Sequence, residues 1–506
     1  MADEKQTLDG GAAERGLALR YFLPLREAVL RPLAALRLHY APLLLVYFSY
    51  GALGLIDVSR DLWVKESLSL SPAELAAIGV WLALPWTIKM VFGQLVDSVP
   101  LFGSQRRVYL VAGALLTASG LVMLAGAAGG WLTFLPPAGL YVLGMILVVL
   151  GLVVQDVVAD AISTEVVART GENGAARDEN EVRAELGMVQ VLGRLALSGG
   201  ILAVAGLSGW VASVLNREQV FLLALVVPAL SLVAALTASE KQVERRPIDW
   251  RILIGGIAFG IAVVAIGLFR VPFGQEIIFL ISMTVVCVML VLVTREVKPE
   301  TRRAIFFTAI IIFAFRATPS VGDGYFWWTI DVLKFDESFY GVLRQTAAII
   351  SIAVLWLFSK QLTEYSVRSV LFWLTVLGAT LSLPNIGLYY GLHNWTEEHL
   401  GFGARSIALV DAATSSPFAQ LSMVPLLALI AYYAPSGRRA TWFALMASLM
   451  NLALVAGQLF TKYLNQYFVV GRGAYGELGV LLICVVIAGL VIPLTAIALF
   501  GRRIER

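Results

Sequence analysis

Apolar stretches long enough to cross a bilayer recur from residue 41 to residue 500, with short breaks between them. A helix needs about 20 such residues to span the hydrocarbon. Read this way, the chain divides into 41–64, 73–96, 108–130, 138–167, 186–214, 218–238, 252–269, 276–295, 303–332, 338–359, 368–392, 404–433, 439–464 and 476–500. That is about fourteen segments by the length criterion. The expected fold class is therefore an all-α integral membrane protein. The bulk composition agrees: 59% of residues are hydrophobic, 14% are charged, and mean hydropathy is +0.81. A soluble chain carries about 25% charged residues, so lipid must act as solvent here.

Composition also excludes several classes. The net charge of +3 carries no signal for nucleic acid, because the basic residues gather at segment ends. Cys287 and Cys484 lie mid-segment among aliphatic residues, so no disulfide framework is implied. The three histidines form no metal-binding pattern, and no metal or cofactor is expected. No nucleotide loop of the GxxxxGK[ST] type and no HExxH or GxSxG run occurs. A membrane-embedded enzyme therefore has no visible nucleophile or metal set, and no catalytic residue is named.

The basic loops fix an expected orientation. Arg106 and Arg107, Arg177 and Arg183, Lys241 to Arg246, Arg295 to Arg303, Lys360 and Arg368, Arg438 and Arg439, and Arg502 to Arg506 fall on one side. The positive-inside rule places that side, with both termini, in the cytoplasm of a bacterial inner membrane. No cleavable signal peptide is evident. Residues 1–40 are expected to be a cytoplasmic tail, with a basic amphipathic helix over 17–40 lying on the membrane surface.

Two similar halves are legible. Asp57 and Asp323 hold equivalent places, as do Asp160 and Asp411, and Arg194 aligns near Asn451. The expected organisation is a six-helix bundle over 41–238, a linker with two extra helices over 239–302, a second six-helix bundle over 303–500, and a tail over 501–506. Two related halves about a central cavity is the major-facilitator plan.

Charges inside apolar spans are the strongest functional signal. A cation at mid-bilayer is expensive and normally faces a partner or water. Arg194 lies deep in the run from Glu185 to Leu215. Helical periodicity gathers polar residues into stripes: Asp57, Arg60 and Asp61; Asp156, Asp160 and Thr164; Gln190, Arg194 and Ser198. A further stripe is Arg316, Ser320, Asp323 and Trp327, with Pro319 as a kink. Such stripes line the pathway of a secondary transporter. Arginines suit an anionic solute, whereas Asp57, Asp156, Asp160 and Asp323 could each carry a coupling proton. Internal ion pairs that only lock helices together remain the competing reading. The loop GQLVDSVPLFGSQRRVYL, from Gly93 to Leu110, places Asp97 one turn after Gly93 and before Arg106 and Arg107. It has the form of a cytoplasmic gate.

The segment LSLSPAELAAIGVWLALPWTIKMVFGQLVDSVPLFGSQRRVYL resembles the folate–biopterin transporter family. The resemblance rests on Pro85, Trp86, Ile88, Lys89, Gly93, Asp97, Ser98, Val99, Pro100, Gly103, Arg107 and Tyr109. Two further segments extend it: FRATPSVGDGYFWWTIDVLKF from Phe315 and APSGRRATWFALMASLMN from Ala434. Met90, the run Gln94–Leu95–Val96 and the two extra helices depart from the family pattern. The run QDVVADAISTEV is similar to muropeptide-permease and acetyl-coenzyme A transporter relatives. The resemblance implies a small-molecule substrate such as a folate or pterin. Its carboxylates would meet Lys89, Arg194 or Arg316, and its flat ring would stack on Trp327 or a neighbouring aromatic. Gln190 completes the expected binding set. A permease for muropeptides or acetyl-coenzyme A, or a transporter-like assembly factor without flux, are the alternatives.

Overall fold

A computed structural model describes residues 34–104, 106–168, 170, 175–238, 250–269, 271–295, 297–364, 367–432 and 439–503. The amphipathic helix expected over 17–40 lies almost wholly outside the described residues. Its last part ends in a 3-10 turn, Leu38–Tyr40.

The first half contains α1 (Ala41–Ala52), α2 (Asp57–Ser67), α3 (Pro72–Thr87), α4 (Lys89–Ser98), α5 (Arg107–Gly129), α6 (Pro137–Glu165), α7 (Glu179–Val214), α8 (Arg217–Leu223) and α9 (Val226–Thr237). A hairpin follows, α10 (Trp250–Leu268) and α11 (Gly274–Val293). The second half contains α12 (Pro299–Arg316), α13 (Asp323–Asp331), α14 (Glu337–Glu364), α15 (Val367–Leu381), α16 (Leu383–Tyr389), α17 (Leu392–Leu400), α18 (Ala404–Tyr432), α19 (Arg439–Tyr467) and α20 (Leu478–Phe500). Among the described residues, 10 stretches are long and apolar enough to cross a membrane. The hairpin's first helix supplies only a shorter apolar stretch, Leu253–Gly267. The sequence-based count of fourteen thus goes beyond what these lengths establish.

Local chemistry explains the boundaries. At the start of α3, the Ser71 side chain accepts from the Glu74 backbone while Glu74 reaches back to Ser71, with Pro72 at the first helical position. Asn216 and Gln219 form the same reciprocal cap on α8. Several crossings are split. A 3-10 turn, Leu53–Ile56, separates α1 from α2. Ile88, at φ −104 and ψ 18, separates α3 from α4, close behind Pro85.

Each half packs around its own long pairs. In the first, α5 lies along α6, α1 along α7, and α9 against α1 and α5. In the second, α14 lies along α18, and α15 packs on α18 and α20. Two seams join the halves, α3 with α19 and α7 with α14. The hairpin sits outside these seams, α10 on α4 and α11 on α19, and exposes Ile254, Ile257, Ile261, Leu280 and Val288. Lipid tails are as apolar as leucine, so close packing and polar contacts must hold the seams. Where α7 meets α14, a Cβ on Gly209 would lie 2.4 Å from the Glu337 carbonyl oxygen and 2.5 Å from the Gly341 Cα. We call the face where α1 begins the near face and the face where α2 ends the far face.

The expected kink at Pro319 is a full break. The α12 helix stops at Arg316, and α13 starts after Gly322, whose φ of +77° suits glycine. Proline lacks an N–H and pushes its predecessor toward extended backbone. Consequently Arg316, Ser320, Asp323 and Trp327 do not share one continuous helical stripe. Non-helical backbone at membrane depth must find partners in protein. Here α19 provides them: the Thr461 hydroxyl accepts from the Ser320 N–H at 2.9 Å, and Asn465 donates to the Val321 carbonyl at 3.1 Å.

Replacing buried Thr461 with valine keeps the shape and removes the acceptor for the Ser320 N–H. Stability should fall by about 0.5–1.5 kcal/mol, the net contribution of one hydrogen bond, since Ser320 itself is exposed. Thermal unfolding of the detergent-purified protein should register this, while Tyr467→Leu, at a residue 80% exposed, should leave the midpoint unchanged.

Candidate functional site

Two charged clusters stand at different depths, the first within the first half and the second across the seam between the halves. The first is built on Lys89, the first residue of α4. The break at Ile88 lets this lysine leave the α3 axis and turn toward α6. Its ammonium lies 2.5 Å from Asp156 and 2.5 Å from Asp160, which stand one helical turn apart on α6. Tyr47 of α1 donates to the other oxygen of Asp160 at 2.9 Å. Gln190 of α7 donates to Ser163 at 2.7 Å. Arg194 stands one turn beyond Gln190, and its charge is felt at Asp156, Tyr47 and Tyr50. It makes no ion pair or hydrogen bond with a described residue. Tyr50 and Trp86 stack beside the cluster, with ring centroids 5.9 Å apart and 18° between planes.

Exposure separates this cluster from a structural ion pair. The Asp160 side chain is 49% exposed, and Gln190 and Arg194 are also exposed. Charged side chains within membrane-spanning helices face the bundle interior or a water-filled cavity.

The second cluster closes the far side. Arg344 of α14 reaches across the seam to Asp57 at 2.7 Å and Asp61 at 3.1 Å. Arg60 pairs with the same two carboxylates, at 3.0 and 2.8 Å. Asp323, at the start of α13, lies within the field of Asp61 and Arg60. It has no ion-pair partner among the described residues. Further ties stand at the same face. Lys65 bonds Asp331 at 2.5 Å, and Arg217 reaches Glu66 at 3.2 Å and Glu337 at 3.5 Å. Arg472 donates to the carbonyls of Lys65 at 2.6 Å and Val64 at 3.1 Å. Tyr475 donates to Asp331. Burial, and then that bond, push its phenol up to about 12, so Tyr475 stays a donor at neutral pH.

The expected gate residues form a third group. Arg106 is buried and bonds Asp97 at 2.9 Å, Glu165 at 2.5 Å and the Val96 carbonyl at 3.1 Å. It clamps the end of α4 to the end of α6. Arg107 does not join it and donates to the Ala238 carbonyl at 3.0 Å. Gly93 lies in α4 with open space on its Cβ side. These contacts of Arg106 and Arg107 stay within the first half.

Several expected binding residues lie elsewhere. Trp327 is 1% exposed and carries Arg472 over its ring at 4.5 Å. The helix break places it in far-side packing, away from Lys89, so it offers no stacking face there. Arg316 ends α12 and donates to the Met450 carbonyl at 3.4 Å. Residues not singled out in the sequence carry much of the site, chiefly Arg344, Tyr47 and Tyr50. Arg344 had a signal of the same kind as Arg194, a lone cation in an apolar helix. The tyrosines had none, because aromatics at segment ends read equally well as interface anchors.

The model of the BT1 family matches residues 51–505. The chain belongs to the BT1 family. A folate-biopterin transporter of Synechocystis sp. is 28% identical over 84% of this chain and 74% of its own length. Folate transporter 1 of Plasmodium falciparum is 20% identical over 83% of this chain and 71% of its own. Among solved structures, a POT family transporter in complex with 5-aminolevulinic acid superposes with a TM-score of 0.68 at 12% identity, covering 92% of this chain and 96% of the other. A nucleoside transporter superposes with a TM-score of 0.60 at 13% identity, covering 92% of this chain and 99% of the other. These likenesses carry the major-facilitator fold. This BT1-family chain is a multi-pass membrane transporter.

Arg344→Gln should loosen the far side. Losing a charge-assisted pair is worth about 1.5–3 kcal/mol, or roughly 10- to 100-fold in a two-state population. Spin labels at Phe134→Cys and Phe402→Cys, with Cys287 and Cys484 changed to serine, would report the distance between halves. The longer-distance population should grow in the variant.

Proposed function

We propose that this chain is a secondary transporter that moves a small anionic solute of the folate or pterin class by alternating access, coupled to protons. The carrying observation is Lys89 held between Asp156 and Asp160, with the exposed Arg194 on the neighbouring helix. Charge arithmetic supports coupling. Lys89 and Arg194 together balance Asp156 and Asp160, so the ionised cavity is neutral. Protonating one aspartate leaves a net charge of about +1, which a solute carboxylate can neutralise. Solute and proton then enter together, because either alone leaves an unbalanced charge at membrane depth. The names of the relatives supply the solute class. The half-buried pair Tyr50 and Trp86 gives a flat ring a surface near the cations. Arg316 is kept as a second anion contact from the other half.

Alternating access draws support from the distribution of pairs. The inter-half ion pairs among the described residues stand at the far face, while the Lys89 cavity is exposed. This arrangement reads as a state closed at the far face and open at the near one. Asp323 extends the proton reading to the latch. The carboxylates of Asp57, Asp61 and Asp323 exceed the cations Arg60 and Arg344 by one charge, which one proton would cancel. Asp97 and Arg106, holding α4 to α6, shape the near-face gate. By the basic-loop bias, the near face is cytoplasmic.

Uptake into proteoliposomes, screened over folates, pterins and amino-sugar peptides under an imposed pH gradient, tests the reading. Lys89→Gln and Arg194→Ala should weaken binding of a carboxylated solute by about 2–5 kcal/mol, the range for breaking a desolvated charge pair. Asp156→Asn or Asp160→Asn should abolish pH-driven accumulation yet spare exchange of solute across the membrane. Unchanged accumulation in each of Asp57→Asn, Asp156→Asn, Asp160→Asn and Asp323→Asn would reduce these clusters to structural pairs.

A further inference from the structure

A cavity of about 500 Å³ opens at the far face, outside the transport pathway. Its walls are the tip of the α10–α11 hairpin, the start of α3 and the end of α19. The seams already described do not fill it, and no part of the solute cycle uses it.

Its chemistry is graded with depth. At the rim stand Ser71 and Glu74 from the first turn of α3, Gln275 and Glu276 from the first turn of α11, and Lys462 near the end of α19. Trp81 lies seven residues below Glu74, about 10 Å down the helix axis. Ile266 and Gly267 line the wall beside it. A pocket polar at the membrane surface and apolar below it matches an amphiphile better than a free solute.

The rim selects a headgroup. Glu74 and Glu276 outnumber Lys462, so the rim is net negative. Glu276 takes hydrogen bonds from Lys462 at 2.7 Å and from Tyr463 at 2.6 Å. Glu74 spends only one oxygen on its cap: Ser71 backbone N–H and hydroxyl both donate to Oε2 at 2.8 Å. Its Oε1 has no partner among the described residues, and Glu74 is exposed. Lys462 donates to Gln275 at 2.9 Å and to Glu276, which leaves a third ammonium hydrogen. A free carboxylate oxygen requires a donor, and a free ammonium hydrogen requires an acceptor. A primary ammonium beside a phosphate supplies both at once.

We propose that this cavity binds an aminophospholipid from the far leaflet, its primary ammonium on Glu74, its phosphate on Lys462 and its glycerol region against Trp81. The lipid fills the gap between the hairpin and the α3–α19 seam and so couples the two added helices to the transport core. The inference does not rest on the identity of the transported solute.

Native mass spectrometry of the detergent-purified protein, with phosphatidylethanolamine, phosphatidylcholine or phosphatidylglycerol added at equal concentration, tests it. Phosphatidylethanolamine adducts should exceed the others by at least about fivefold. Glu74→Gln should remove that preference while keeping the α3 cap, since glutamine serves in the same capping box. Lys462→Met should lower retention of both zwitterionic lipids. Equal adducts for all three lipids, or a preference untouched by both substitutions, would overturn the site. Soluble phosphoethanolamine competing at equal concentration would also overturn it, because the ligand would then be a free amine.

Discussion

The desolvation of charge governs this molecule. A lone ion in the hydrocarbon region is costly, so each buried charge needs a counter-charge or water. The chain meets this demand with sharing arrangements in which one cation serves two carboxylates. Lys89 lies between Asp156 and Asp160, Arg106 between Asp97 and Glu165, and Arg344 between Asp57 and Asp61. Shared cations are poor rivets and good switches. Removing one carboxylate's charge leaves the cation satisfied by the other, and the structure can change partners without stranding a charge.

Sharing also links depth to movement. The Arg344 cluster spans the seam between the halves, whereas the Lys89 and Arg106 clusters stay inside the first half. Parting the halves at the far face would therefore break Arg344 from α2 while Arg60 stays paired with both Asp57 and Asp61, with one negative charge left over. Arg60 thus lowers the cost of opening: it keeps both carboxylates of α2 paired after Arg344 leaves, and a single proton would cancel the remaining charge. On α14, Arg344 is 34% exposed, so water can replace the lost carboxylates. The broken helix at Ala317–Gly322 belongs to the same design. Its free backbone groups lean on α19, which ties the start of α13, and with it Asp323, to that helix.

The all-helical membrane class and the grouping of charges along single helices were legible in the sequence, because hydropathy and helical period are local properties. Asp57, Arg60 and Asp61 share a face within one turn, and so do Asp156 and Asp160. Pairing across the fold was not legible. Arg344 meets Asp57 over a separation of 287 residues, and nothing near either residue announces the other. The sequence stripe from Arg316 to Trp327 failed for a definite reason. It assumed that one proline bends a helix, whereas Pro319 and Gly322 together interrupt it, and a six-residue interruption erases register. Trp327 consequently turned into packing beneath Arg472, and the aromatic surface beside the cations is the Tyr50–Trp86 pair instead.

The gate expectation named Asp97 with both Arg106 and Arg107, and the structure distinguishes the two arginines. Gly93 and Asp97 gave the spacing, and the arginine pair gave the charge, but sequence could not say which arginine faces inward. Helix geometry decides it. Arg106 precedes α5 as its N-cap residue, outside the helical register, and can fold back toward α4 and α6. Arg107 is the first residue of α5 and points along the helix surface to Ala238. A cation at a helix N-terminus is disfavoured by the dipole. Arg106 bears that disfavour only because Asp97 and Glu165 surround it. Loss of Glu165 would leave Arg106 with Asp97 and the Val96 carbonyl beside a positive helix end, so this loop is held by the acid from α6 as much as by the motif's own aspartate.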